Sequence, residues 1–219
     1  MSTYFIAGAG TDIGKTFTTC ALIEAAKRQG RAVAAFKPVI TGFDPDDAQS
    51  DTALLIDALD GGTVEEISPW RYRMPLSPEM AAQLEGPPLG LAQMDAWVAQ
   101  VKDRAALTLI ETAGGVMVPL NAQATTRDWM REAGLPVVLV VGSYLGAISH
   151  ALSAVEALHA AEIPIAAMVV NQSQQGPDLI ATCESIRRHA HGVGHIVAQR
   201  RVQHPKDATA VHALLEELA

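Results

Sequence analysis

The residues best suited to chemistry stand near the start of the chain, in the run Gly8-Ala9-Gly10-Thr11-Asp12-Ile13-Gly14-Lys15-Thr16. A glycine-rich loop that opens a helix turns backbone N–H groups and the positive end of the helix dipole toward one point, which suits a phosphate. In that setting Lys15 reaches the outer phosphates of a nucleotide and Thr16 offers its hydroxyl to Mg²⁺. The run departs from the strict pattern. Ala9 holds the first glycine's place and Gly8 comes one residue early, while Gly14-Lys15-Thr16 is intact.

Further candidates stand at the ends of apolar runs. Lys37 ends the second run, Glu111 the third and Asn171 a later one. If these runs are parallel strands, all three residues converge on the phosphate loop. Glu111, followed by Thr112-Ala113-Gly114-Gly115, can supply a carboxylate to a phosphate-bound Mg²⁺. Asp51, at a helix start, can supply another, although a plain helix cap explains it equally well. Lys37 adds a second cation where phosphoryl oxygens must be stabilised. Thr41-Gly42 lets a substrate approach closely. The amides of Gly142 to Ser149 form a second anion site suited to a carboxylate, or a simple strand-to-helix turn. His189 and His191 suit carbonyl capping at a helix end better than metal binding. Trp70, Trp97 and Trp129 read as packing residues, and no Gly-x-Ser-x-Gly or cysteine–histidine nucleophile pattern is present.

The elements that must position these residues alternate. Strands are expected over Tyr4–Ala7, Ala32–Val39 (ending at Pro38), Leu107–Glu111, Leu135–Val141, Ile165–Val170 and Gly194–Ala198. Helices are expected over Phe17–Arg28, from a cap at Ser50 or Asp51 to about Leu59, from Ser77-Pro78 to Gly86, Leu91–Arg104, Thr125–Glu132, Ile148–Ala161, Asp178–His189 and Ala208–Leu218. Gly61–Pro75 reads as irregular. Because the strands are continuous apolar runs, the fold is α/β, a mostly parallel sheet of about seven strands with helices on both faces. The 219 residues read as one domain, 1–219, and its glycine loop opening a helix makes that domain P-loop NTPase-like. The formal charge of −8 argues against nucleic acid or an anionic membrane as partner. Cys20 and Cys183 read as small buried residues of a reduced compartment, and the start of the chain lacks signal-peptide features. A cytoplasmic protein is expected.

Taken together, the ordered motifs resemble the dethiobiotin synthetase family of ATP-dependent carboxylases. They are the phosphate loop, with five residues between Gly8 and Gly14, then Phe36-Lys37-Pro38-Val39-x-Thr41-Gly42 and Ser50-Asp51. Glu111-Thr112-Ala113-Gly114-Gly115-x-x-x-Pro119-Leu120 and Leu145-Gly146-x-x-x-His150-Ala151 follow, with weaker support from Ser77-Pro78 and Glu85-Gly86. The resemblance implies that 7,8-diaminononanoate, CO₂ (or bicarbonate) and ATP give dethiobiotin, ADP and phosphate through a carbamate and a carbamic–phosphoric anhydride. It implies that Asp12, Ile13, Gly14, Lys15, Thr16, Phe17, Asp51, Glu111, Gly114 and Asn171 bind ATP, with Asn171 on the adenine. Thr16, Asp51 and Glu111 would hold Mg²⁺, and Lys37, Lys15 and Thr11 would act in catalysis. Thr41, Gly115, Val116, Pro119, Leu145, Gly146 and Ser149 would contact substrate, its carboxylate site being shared across a homodimer.

The chain departs from the family in three places. Glu79 stands where histidine is common, Ser149 where asparagine is common, and Ile196 to Arg201 lacks the usual Pro-x-Leu segment beside the base. The last of these bears on ATP against CTP or GTP. A switch ATPase of the partition or septum-site type is the competing reading. It needs a lysine where Gly10 stands, and a basic surface that the net charge does not offer.

Overall fold

The computed structural model describes residues 1–218. The chain runs through β1 (Ser2–Gly8), α1 (Lys15–Arg28), β2 (Val33–Phe36), β3 (Val39–Thr41), α2 (Asp51–Ala58), α3 (Val64–Ile67) and β4 (Trp70–Tyr72). It continues through α4 (Pro78–Glu85), α5 (Leu91–Val101), β5 (Leu107–Glu111), β6 (Pro119–Asn121), β7 (Ala124–Thr125) and α6 (Thr126–Ala133). Last come β8 (Val137–Gly142), α7 (Ala147–His159), β9 (Ile165–Asn171), α8 (Leu179–His189), β10 (Val193–Gln199), a 3₁₀ turn (Pro205–Asp207) and α9 (Thr209–Glu217).

Among the described residues the central sheet has six strands rather than about seven, in the order β10-β9-β8-β1-β5-β2, and every pairing is parallel. The strands lack a polar face because each sheet face has its own core. On β8, Val137, Leu139 and Val141 enter one core, and Val138 and Val140 the other. The first core holds Phe5, Met94, Val98, Trp129 and Ile186 from β1, α5, α6 and α8. The second holds Ile6, Leu22, Leu55 and Leu214 from β1, α1, α2 and α9. The three tryptophans do pack. Trp129 meets Phe5 edge-on at 4.8 Å, and Trp97 lies edge-on to both Phe36 and Trp70. Both cysteines are buried and free.

The second expected strand is two. The sheet strand stops at Phe36, and Lys37 donates its amide to the Ile67 carbonyl at 3.0 Å. Pro38 has no amide to give the sheet. Val39–Thr41 then leaves the sheet and pairs in parallel with β4. The stretch Gly61–Pro75, read as irregular, therefore holds α3 and β4. Thr63 and Glu66 cap α3 reciprocally. Among the described residues no helix is long and apolar enough to cross a membrane.

Candidate functional site

Parallel register sets the site. Ile6 pairs with Glu111, and Phe36 with Ile110, so the strand ends carrying Gly8, Lys37 and Glu111 lie side by side. The loop after β1 needs unusual backbone: Asp12 and Gly14 both have positive φ, 56° and 87°. A side-chain carbon on Gly14 would sit 2.6 Å from Asn171 Nδ2. Gly14 therefore needs to be glycine twice over, for conformation and for room. Among the described residues no side chain caps the N-terminus of α1, so its first N–H groups remain free for a ligand.

A cavity of about 360 Å³ opens over this loop, lined by Thr11, Asp12, Gly14, Lys15, Thr16, Phe17, Lys37, Thr41, Asp51, Glu111 and Gly114, among others. Within it Lys37, only 5% exposed, lies 2.7 Å from both Asp51 Oδ2 and Glu111 Oε1. Thr16 Oγ1 lies 2.6 Å from Asp51 Oδ1 and 2.8 Å from Glu111 Oε1. That hydroxyl has one hydrogen for two carboxylate oxygens. Three hard oxygen donors thus converge with more lone pairs than hydrogens, a donor set that fits Mg²⁺. Lys15 donates to the Gly10 carbonyl at 2.9 Å.

The charges shift one another. Lys15 is pushed down to about 8, by burial first and then by the positive charge of Lys37, against the pull of Glu111 and Asp51. For Lys37, burial opposes the charge, but Glu111 and Asp51 outweigh it and hold the ammonium above the usual lysine range. Asp51 mirrors this. Burial opposes its charge, yet Lys37 and the Thr16 hydroxyl hold it below the usual carboxylate range. Cys20, in the next turn of α1, is pushed up to about 12 by burial and then by Glu111 and Asp51, so its thiol stays protonated and inert.

Two further cavities flank the loop. One, of about 560 Å³ and largely apolar, is lined by Gly10, Thr11, Gly115, Val116, Met117, Pro119, Tyr144 and His150, among others. Thr11 therefore borders both this cavity and the phosphate cavity. The other, of about 430 Å³, has Ile13, Phe17, Asn171, Ser173, Gln199, Arg200 and Arg201 in its walls. Asn171 Nδ2 lies 3.0 Å from the Ile13 carbonyl, 3.3 Å from that of Gly14 and 3.3 Å from Thr18 Oγ1. Its nitrogen braces the phosphate loop, which leaves the amide oxygen for a ligand. Ser143 and Ser173 each accept the other's backbone N–H, at 2.9 and 3.0 Å, which ties the loops after β8 and β9 together.

The family described as an AAA domain matches residues 2–208. The ATP-dependent dethiobiotin synthetase BioD of Phenylobacterium zucineum (strain HLK1) is 46% identical over 100% of this chain and 96% of its own length. This chain belongs to the ATP-dependent dethiobiotin synthetase family. Proteins of the same name from Caulobacter sp. (strain K31) and Methylobacterium nodulans are each 48% identical. They cover 98% and 87% of the chain and 95% and 90% of their own lengths. Membership does not favour the switch-ATPase alternative.

The residues expected to act in this dethiobiotin synthetase family member divide among the three cavities, with one set outside them. Thr11, Asp12, Gly14, Lys15, Thr16, Phe17, Lys37, Thr41, Asp51, Glu111 and Gly114 share the phosphate cavity. Gly115, Val116 and Pro119 line the apolar one, and Ile13 and Asn171 the third. Leu145, Gly146 and Ser149, at the start of α7, line none of these cavities, and the Leu145 side chain stands 88% exposed. Glu79 lies in the first turn of α4, outside the same three linings. Sequence reasoning missed Tyr144, whose hydroxyl lies 2.7 Å from His150 Nδ1. The available signal was an aromatic residue two positions past the central strand.

Proposed function

We propose that this chain converts 7,8-diaminononanoate, CO₂ and ATP into dethiobiotin, ADP and phosphate. The observation that carries the reading is the meeting of Lys37, Asp51, Glu111 and Thr16, with Lys15 in the wall of the same cavity, in a chain nearly half identical to dethiobiotin synthetases along its whole length.

One substrate amine adds to CO₂ and loses a proton, giving a carbamate. A carbamate oxygen attacks the γ-phosphorus of ATP and ADP departs, leaving a mixed carbamic–phosphoric anhydride. The second amine attacks the carbonyl carbon, closes the ureido ring and expels phosphate. The second step presses the anionic carbamate against an anionic phosphate, so fixed positive charge lowers the barrier. Lys15 and Lys37 would supply that charge, with Thr11 and Thr41 donating hydrogen bonds to the reacting groups. Thr16, Asp51 and Glu111 would hold Mg²⁺, which when bound neutralises phosphate charge. The apolar cavity along Gly115, Val116 and Pro119 suits the methylene chain, and Thr11, bordering both cavities, stands where amine and phosphate would meet. Leu145, Gly146 and Ser149 would receive the substrate carboxylate of the partner subunit in a homodimer. The amide oxygen of Asn171 would accept from the adenine amino group.

The deciding assay is capture of ¹⁴C-bicarbonate in an acid-stable product. Capture should require both ATP and the diamine. ATP hydrolysis without capture would overturn the proposal, as would hydrolysis driven by DNA or lipid. Lys37→Ala should keep nucleotide affinity but lose about 10²–10³ in turnover, the usual effect of removing one electrostatic contact to a developing charge.

A further inference from the structure

Thr19 plays no part in the reading above. It is fully buried in α1, three residues beyond Thr16, so the two hydroxyls lie on the same helix face, toward β5. Each takes one oxygen of Glu111. Oε1 is shared by Thr16 at 2.8 Å and Lys37 at 2.7 Å. Oε2 lies 2.8 Å from Thr19 Oγ1, its only hydrogen-bond donor among the described residues.

The Thr19 hydroxyl has a second acceptor in reach, the Lys15 carbonyl at 3.0 Å. That back-bond is the ordinary use of a mid-helix threonine. The single hydrogen goes to the carboxylate, which is nearer and charged. Glu111 is 0% exposed, so bulk water cannot take the donor's place. From this geometry we infer that Thr19 is a positioning residue. It holds Oε2 so that Oε1 stays turned toward Thr16 and Lys37. Without the hydroxyl, one oxygen of a buried carboxylate is orphaned. Rotation of the carboxylate toward Lys37 or Thr16 then relieves that oxygen and misdirects the other. The inference rests on Glu111 being a ligand to the metal, as proposed above.

Thr19→Val keeps the shape and removes the hydroxyl, whereas Thr19→Ser keeps the hydroxyl. The readouts are Mn²⁺ affinity by electron paramagnetic resonance with saturating ADP, ADP affinity in chelator, and kcat and KM for the diamine. Thr19→Val should bind Mn²⁺ about tenfold to a hundredfold more weakly, the usual effect of losing a partner behind a metal ligand. Its kcat should fall while the diamine KM and the metal-free ADP affinity hold, and Thr19→Ser should match the parent throughout. Native Mn²⁺ affinity in Thr19→Val overturns the inference. So does a Thr19→Ser protein as impaired as Thr19→Val. Should valine's second methyl disturb packing, Thr19→Ala carries the same comparison. Glu111→Gln separates the two readings. If it binds Mn²⁺ like the parent, the assignment of Glu111 to the metal fails and the inference with it. If it is weakened while Thr19→Val is not, the role of Thr19 alone fails.

Discussion

Replacing Lys37 with methionine should cost this fold more than replacing Lys37 and Glu111 together. Lys37 lies 2.7 Å from two carboxylates, and Glu111 has no exposed surface. Removing the cation alone strands the charge of the fully buried Glu111, which typically costs about 3–5 kcal/mol. In a domain of this size that corresponds to a drop in melting temperature of about 6–20 °C. The double replacement, Lys37→Met with Glu111→Leu, removes the stranded charge. Its hydrogen-bond consequences are mild, because both orphaned hydroxyls have other acceptors. Thr19 can turn to the Lys15 carbonyl at 3.0 Å, and Thr16 can keep Asp51 Oδ1 at 2.6 Å. Apolar substitutes of similar volume should therefore recover at least about 2 kcal/mol over the single variant. The assay is urea unfolding at about pH 7 without nucleotide or divalent cation, checked by calorimetry. A double variant no more stable than Lys37→Met would refute the reasoning, because the buried charge would then not be the source of the loss.

Other outcomes follow from the same geometry. Lys15, held at about 8, should take up protons when a polyphosphate restores its charge. At about pH 8.5 the uptake should be roughly three quarters of a proton, and calorimetry of nucleotide binding in buffers of different ionisation enthalpy reads it directly. A lysine whose folded value is depressed makes stability rise with pH from about 8 to 10.5, the window in which only the unfolded chain keeps that proton. His212 is held below its usual range, first by burial and also by the charge of Arg28. Its Nδ1 lies 3.0 Å from the Arg28 guanidinium and its Nε2 lies 3.0 Å from the Pro205 carbonyl. The unfolded chain binds the proton first, so stability should fall as pH drops below about 6.5 and the slope should flatten in His212→Gln. Urea midpoints across that range test this. Gly14→Ala should abolish measurable nucleotide binding, because left-handed backbone costs an L-residue about 1–2 kcal/mol and the added methyl lands 2.6 Å from Asn171 Nδ2.

Much of this was legible in the sequence. Continuous apolar runs identified the strands of a sheet buried on both faces, and Ser50, Ser77 and Asp178 marked helix starts where the structure has them. The rule that parallel strands present their C-terminal ends to one edge is enough to gather Lys37, Glu111 and Asn171 around the phosphate loop. The break after Phe36 was harder to read. Pro38 signals an end, but nothing local says that Val39–Thr41 will pair with a strand thirty residues on. The start of α3 carried a readable signal, Thr63-x-x-Glu66, hidden by its four-residue length and by Gly61-Gly62. Thr19 was invisible because threonine within a helix has an ordinary use. Only the glutamate beside it gives it another, and that proximity is tertiary. The same holds for Asn171, whose position was legible but not the commitment of its nitrogen to the loop.

The paired serines after β8 and β9 have a practical bearing on redesign. Ser143 belongs to the segment leading to Tyr144, and Ser173 to the segment leading away from Asn171, so neither can be transplanted alone. A chimera that imports residues 142–149 from another synthetase but keeps the native 171–176 would mate two halves of a fastener cut from different cloth. Exchanges across this region should be drawn so that both serines come from one parent together with Gly142 and Gly176, where an added Cβ would crowd Ser173 Oγ and the Ser143 carbonyl.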